Sequence, residues 1–219
     1  MEQDKELTNK LEEYSKKIGV DIIGFADPNL FTHFSEENQP FIYLKETKTV
    51  IIIGIHLYDL ILDAWSENDE TGKIIQFADS VLKNYCNSIL KLLLKLGYES
   101  KLIQYRAGLY LKDAAALAGM GSIGKNNLLI TDKYGSQVRL RAIATEAPLS
   151  LGVPIYESEH CKNCNICIDS CPADAFHKGN YDKDKCLDYN HTNWRILSNY
   201  SRIWCNECIE SCPIGNIRK

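Results

Sequence analysis

The chain lacks the features that would carry a protein into or across a membrane. Its opening, MEQDKELTNK, has no basic segment followed by an apolar one and no twin-arginine pair, so a secretory signal is not expected. The most apolar stretch, Val50 to Leu62, is interrupted by His56 and Asp59 and is shorter than the roughly 20 residues that a spanning helix needs. An excess of positive charge is missing too: 25 Lys and Arg stand against 29 Asp and Glu, giving a net charge of -4 and a pI near 5.8. That balance argues against an extended nucleic-acid surface. The five histidines, His33, His56, His160, His177 and His191, show no metal-ligand spacing. There is no low-complexity segment. Before His160, cysteine occurs once, at Cys86. The expectation is a cytoplasmic globular protein of 219 residues with one sizeable core and a small accessory domain.

The other cysteines are crowded between Cys161 and Cys212. The run Cys161-x2-Cys164-x2-Cys167-x3-Cys171-Pro172 is followed by Cys186 and then by Cys205-x2-Cys208-x3-Cys212-Pro213. This is the ligand spacing of a protein holding two 4Fe–4S clusters. A cubane needs four thiolates pointing inward from different directions. Two-residue spacers let one tight loop deliver three of them, and the fourth is exchanged with the neighbouring run. The spacing therefore assigns Cys161, Cys164, Cys167 and Cys212 to one cluster, and Cys171, Cys186, Cys205 and Cys208 to the other. A zinc ribbon would show two C-x2-C pairs rather than a triplet and two C-x3-C-P endings. A disulfide framework would belong to a smaller secreted chain. Oxygen-sensitive clusters also suit a reducing cytosol.

Ahead of the array, Leu7, Leu11, Tyr14 and Ile18 recur at helical spacing and Gly19 closes that helix. Val20 to Phe25 reads as a short strand. Thr49 to Ile55, β-branched and apolar, reads as a central one. A long helix is expected from Lys73 to Leu96, with Ile75, Leu82, Cys86, Ile89 and Leu93 on one face and Cys86 as a buried small hydrophobe. Further strands are expected at Lys101 to Tyr105, Asn127 to Thr131 and Val138 to Ala144, and an alanine-rich helix at Lys112 to Ala118. In the last strand Arg139 and Arg141 alternate with apolar residues. Pro148 to Pro154 read as a hinge. Mixed helices and strands give an α+β or α/β layer structure over residues 1-153, followed by the cysteine domain over 154-219.

Gly119-x-Gly121-x-x-Gly124 matches the letters of the dinucleotide fingerprint, but a helix precedes it and a strand follows, the reverse of the order that places a pyrophosphate on a helix N-terminus. NAD is rejected on that ground. Two readings stand for the loop. It is either a glycine-rich connection without a ligand, or a close backbone approach to something large and flat, with Lys125 and Asn126 beside it.

The stretch AGMGSIGKNNLLIT, then KYGS, then L-x-x-I-x-T-x-x-PL, and then the cysteine array with its displaced Cys186, resembles epoxyqueuosine reductase, a family related to the corrinoid reductive dehalogenases. The resemblance runs from about Lys48 to Ile214. It implies an α+β protein, a nitroreductase-like α/β domain that binds cobalamin followed by a two-cluster ferredoxin-like domain. Gly119, Gly121, Ser122, Ile123, Gly124, Lys125 and Asn126 would belong to the cobalamin cradle. Where the family carries an acidic proton donor this chain has Tyr105, so Tyr105 is a candidate general acid with Arg106 beside it, or else merely a strand end. Ser122 stands where the family has tryptophan, and the chain ends soon after Cys212, which implies a short form without the family's helical C-terminal domain. The segment between Cys186 and Cys205, with His191, Trp194 and Tyr200, would cover a cluster or reach over a cofactor, with packing as the plainer role.

These readings converge on a cobalamin-dependent iron–sulfur reductase acting on a small molecule or on a partner redox protein, not on tRNA, and fed by a ferredoxin- or flavodoxin-type donor. The rival is a ferredoxin-type electron carrier without substrate chemistry. A third reading places a flavin in the first domain.

Overall fold

The computed structural model describes residues 3–68, 73–104, 108–177 and 180–215. In chain order come α1 (Lys5–Ile18), β1 (Ile22–Ala26), β2 (Thr49–His56), β3 (Trp65–Asn68), β4 (Lys73–Gln76), α2 (Phe77–Lys95), β5 (Ser100–Leu102), α3 (Leu111–Leu117), β6 (Ser122–Ile123), β7 (Leu129–Ile130) and β8 (Val138–Thr145). The cysteine-rich part adds α4 (Ile166–Asp169), β9 (Phe176–His177), β10 (Asn180–Tyr181), α5 (Lys183–Thr192), β11 (Arg195–Ile196), β12 (Ser201–Ile203) and α6 (Glu207–Glu210). The fold is α+β, and no described helix is long and apolar enough to cross a membrane.

The chain forms two compact units. The first gathers residues 1–55, 81–122 and 140–156. Its sheet runs in the order β1-β2-β8-β5, with β1 antiparallel to β2 and β5 antiparallel to β8. As an inner strand β2 is covered on both faces, which is why Val50, Ile51, Ile52 and Ile53 are all fully buried and the sequence shows no polar alternation there. Asp4 caps α1 by accepting from Leu7 N at 2.8 Å, and Leu7 and Leu11 face the core. Leu82, Cys86, Ile89 and Leu93 of α2 are wholly buried at helical spacing. Residues 148–155 are laid along this unit. Pro148 O accepts from Asp4 N (2.7 Å), Gly152 N donates to Phe25 O (2.8 Å) and Ile155 N to Ala116 O (3.0 Å).

The second unit gathers residues 56–80, 123–139 and 157–219. It contains a sheet in the order β11-β12-β3-β4 and the two short helices α4 and α6, which pack on each other.

Two expectations are corrected. The helix expected from Lys73 begins at Phe77, because residues 73–76 pair with β3 in the register Trp65↔Gln76 to Asn68↔Lys73. Ile75 therefore lies in a strand. The strand expected at Asn127 to Thr131 is only Leu129–Ile130, since Asn127 turns the chain with φ 58. In β8, Arg141 is 6% exposed, and Arg139 is drawn to Asp63 at 3.2 Å and to Gln76.

Candidate metal centre

All eight array cysteines lie in the second unit, on two local frames of the same make. Cys164-Asn165-x-Cys167 and Cys205-Asn206-x-Cys208 each enter a one-turn helix whose N-cap is asparagine. Each frame closes on Ser-Cys-Pro. Cys167 and Cys208 thus sit on the helices, and Cys171 and Cys212 follow them. Cys186 comes from the middle of α5, which is capped by Asp182 accepting from Lys185 N at 3.0 Å.

Packing α4 on α6 exchanges the ends of the two runs. One hollow is lined by Cys161, Cys164 and Cys167 together with Cys212 from the other run. Burial raises the Cys167 thiol pKa above its usual value, and the charges of Cys161, Cys212 and Cys164 raise it further. Cys208 is pushed up to about 12, first by burial and then by Cys205, Cys167, Cys186 and Cys171. Cys205 is raised chiefly by burial, with Cys186 and Cys171 adding to it, while a hydrogen bond from the Glu207 N–H opposes the rise. One hollow thus gathers Cys161, Cys164 and Cys167 with Cys212 of the other run, while the charges of Cys205, Cys167, Cys186 and Cys171 all act on Cys208.

This donor set fits two cubanes. Among the described residues, no three His, Cys, Asp or Glu side chains close on a single-ion point, as a zinc site would require. A cubane instead spaces its four thiolates around a larger body. Protonated thiols crowded in a half-buried pocket become stable thiolates only when a cationic group binds them.

The glycine loop supports this site. Lys125 Nζ donates to Cys164 O (3.0 Å), Asn165 Oδ1 (2.9 Å) and Lys162 O (3.4 Å). Asn126, buried, donates through Nδ2 to Cys208 O at 3.4 Å, and its Oδ1 accepts from Leu128 N at 3.2 Å. The cation and the amide expected in a cofactor cradle are thus turned to the two cysteine loops. Two glycines answer to the protein itself: a Cβ on Gly119 would lie 2.6 Å from Val153 O, and one on Gly124 would lie 2.5 Å from Ile130 Cγ1. Ser122 is buried in β6 beside Ile123.

Tyr105 and Arg106 lie outside the described residues. The segment between Cys186 and Cys205 packs upon itself and on β3. Trp194 meets Trp65 at 5.0 Å and Trp204 at 6.1 Å, with the Arg202 guanidinium 4.4 Å from the Trp194 ring. His191 sits 5.7 Å from Trp204, His56 stacks on Tyr134 at 4.4 Å, and Tyr200 is exposed. Sequence reasoning missed Asn190, which is buried, donates to Cys186 O at 2.8 Å and accepts from Cys205 N. Its only signal was its place one helical turn after Cys186.

No protein-family model matches the chain. The epoxyqueuosine reductase of Bacillus subtilis is 26% identical over 248 aligned residues, covering 96% of this chain and 64% of that protein. The chain is thus similar in sequence to epoxyqueuosine reductases over nearly its whole length. The similarity extends over the segment before Lys48, where the motifs were silent. The structure of epoxyqueuosine reductase from Streptococcus thermophilus superposes with a TM-score of 0.70 at 22% identity, covering 94% of this chain and 65% of that one. A catabolic reductive dehalogenase shares the fold with a TM-score of 0.68 at 16% identity, over 94% of this chain and 31% of its own. The chain thus spans just under two thirds of the epoxyqueuosine reductases it matches.

Proposed function

We propose that this protein is a cytosolic two-cluster iron–sulfur reductase. The observation that supports it is the hollow lined by Cys161, Cys164 and Cys167 of one run together with Cys212 of the other. When bound, a 4Fe–4S cluster takes up and releases electrons singly at a potential set by its surroundings. The chain supplies those surroundings. Lys125 and Asn126 tie the two loops at Cys164 and Cys208, and Asn190 ties Cys186 to Cys205. Half-burial keeps water from most of the thiols.

Electrons would arrive from a ferredoxin- or flavodoxin-type donor. The acceptor implied by the similarity to epoxyqueuosine reductases is a corrin acting on a small molecule, with residues 1-153 as a nitroreductase-like cofactor domain and residues 154-219 as the two-cluster domain. Tyr105 is the proton donor of this reading. The net charge of -4 argues against tRNA as substrate.

A second reading, an electron carrier for a partner corrinoid or flavin protein, is favoured by the turning of Lys125 and Asn126 toward the cysteine loops. Anaerobic reconstitution with iron and sulfide, followed by EPR after mixing with cob(II)alamin, separates the two. A cobalt signal shifted from that of the free cofactor supports the reductase. An unshifted one beside two intact clusters supports the carrier, and a protein that takes up no iron removes both.

A further inference from the structure

The two cysteine frames are near copies, so their backbone environments are alike. N–H groups reach sulfur in both quartets: Ala175 N donates to Cys171 Sγ at 3.4 Å, and the Ile214 N–H is directed at Cys212. Cys186 breaks the symmetry. It comes from a ten-residue helix outside either frame, and a buried side-chain donor reaches it. Asn190, 3% exposed, places its Nδ2 3.5 Å from Cys186 Sγ and 2.8 Å from Cys186 O, while its Oδ1 accepts from Cys205 N. At the first frame the side-chain donor Lys125 reaches the carbonyl oxygens of Cys164 and Lys162 instead of sulfur.

A donor hydrogen bond to a ligand sulfur favours the more negative, reduced cluster, and so raises its potential. We propose that Asn190 is a positioning residue that raises the potential of the cluster on Cys171, Cys186, Cys205 and Cys208 and makes it the one on which an electron entering the pair comes to rest. This rests on the quartet reading given above. Asn190 also fixes the geometry of two ligands from distant parts of the chain.

The test is an EPR-monitored redox titration of the reconstituted full chain, with iron content measured alongside. Cys186→Ala identifies its own cluster by the signal that disappears, which is expected to be the signal with the higher midpoint. Asn190→Asp keeps the acceptor for Cys205 N and removes the donor to sulfur, and Asn190→Leu removes the donor without adding a charge. Both are expected to move that one midpoint downward, leaving the other in place, and Asn190→Asp to retain iron at the wild-type level. Survival of the higher-potential signal in Cys186→Ala overturns the assignment. So do Asn190 variants with full iron and both midpoints unmoved. A wild-type chain that binds no iron overturns the quartet reading itself, an outcome distinct from clusters whose potentials do not respond.

Discussion

Lys125 Nζ lies 3.0 Å from the carbonyl oxygen of Cys164, and the same ammonium reaches Asn165 Oδ1 at 2.9 Å. A lysine of the glycine loop therefore closes the first cysteine loop, much as an ion would, by gathering oxygens that otherwise repel one another. The group is exposed, so its net worth is modest, about 1 kcal/mol. Lys125→Met is expected to lower the thermal midpoint slightly and to speed loss of iron to a chelator several-fold, with Lys125→Arg in between. Timed chelation of the reconstituted protein checks this, and an unchanged rate would release Lys125 from the role.

The exchange of ligands makes a sharper prediction. Cys212→Ser is expected to disturb the same cluster as Cys161→Ser, although the two residues belong to different runs. Cys171→Ser should group with Cys205→Ser. EPR of the four variants shows which signals change together. If each run kept its own last cysteine, Cys212→Ser would group with Cys205→Ser instead.

That Cys161, Cys164 and Cys167 would line one hollow was legible because ligand spacing is local, and a triplet on two-residue spacers admits few geometries. The buried β2 was legible for the same reason, as an unbroken β-branched run. What failed was whatever depended on distant partners. Residues 73–76 continue the apolar period of α2, yet their hydrogen bonds go to β3, so tertiary pairing overrode the local pattern. Lys125 was noticed for its glycines, while its partners lie 37 to 40 residues onward. The family's motifs brought Lys125 and Asn126 to notice, and geometry shows what they touch.

Asp63 and Arg139 face each other at 3.2 Å with side chains only 26% and 16% exposed. Burial raises the Asp63 pKa above that of a free carboxyl, Arg139 opposes the rise and Asp79 adds to it. Arg139→Gln is expected to cost about 2 kcal/mol, below the range for a fully buried pair, by leaving the carboxylate without its cation. Asp63→Asn in that background should recover much of the loss. Urea unfolding of the single and double variants measures the coupling, and additive losses would mean that the pair does not interact.

The thiols of the second quartet link iron binding to protons. Cys208 is pushed up to about 12 from an ordinary 9.0, chiefly by burial, and the Cys205 thiol is raised as well. A thiol whose pKa is higher in the folded state stabilises the fold below its unfolded pKa, and that stability is lost as pH rises through the folded value. The iron-free protein is therefore expected to lose stability progressively above about pH 9. Cluster formation demands thiolates, so it must expel these protons, and iron uptake should strengthen as pH rises toward that limit. Anaerobic reconstitution in weak buffer is expected to release protons. The release should fall in Cys208→Ser, because one of the most strongly protonated thiols is gone. Proton release equal in the wild type and in that variant would show that Cys208 carries no proton to lose and that its burial does not govern the affinity of the quartet.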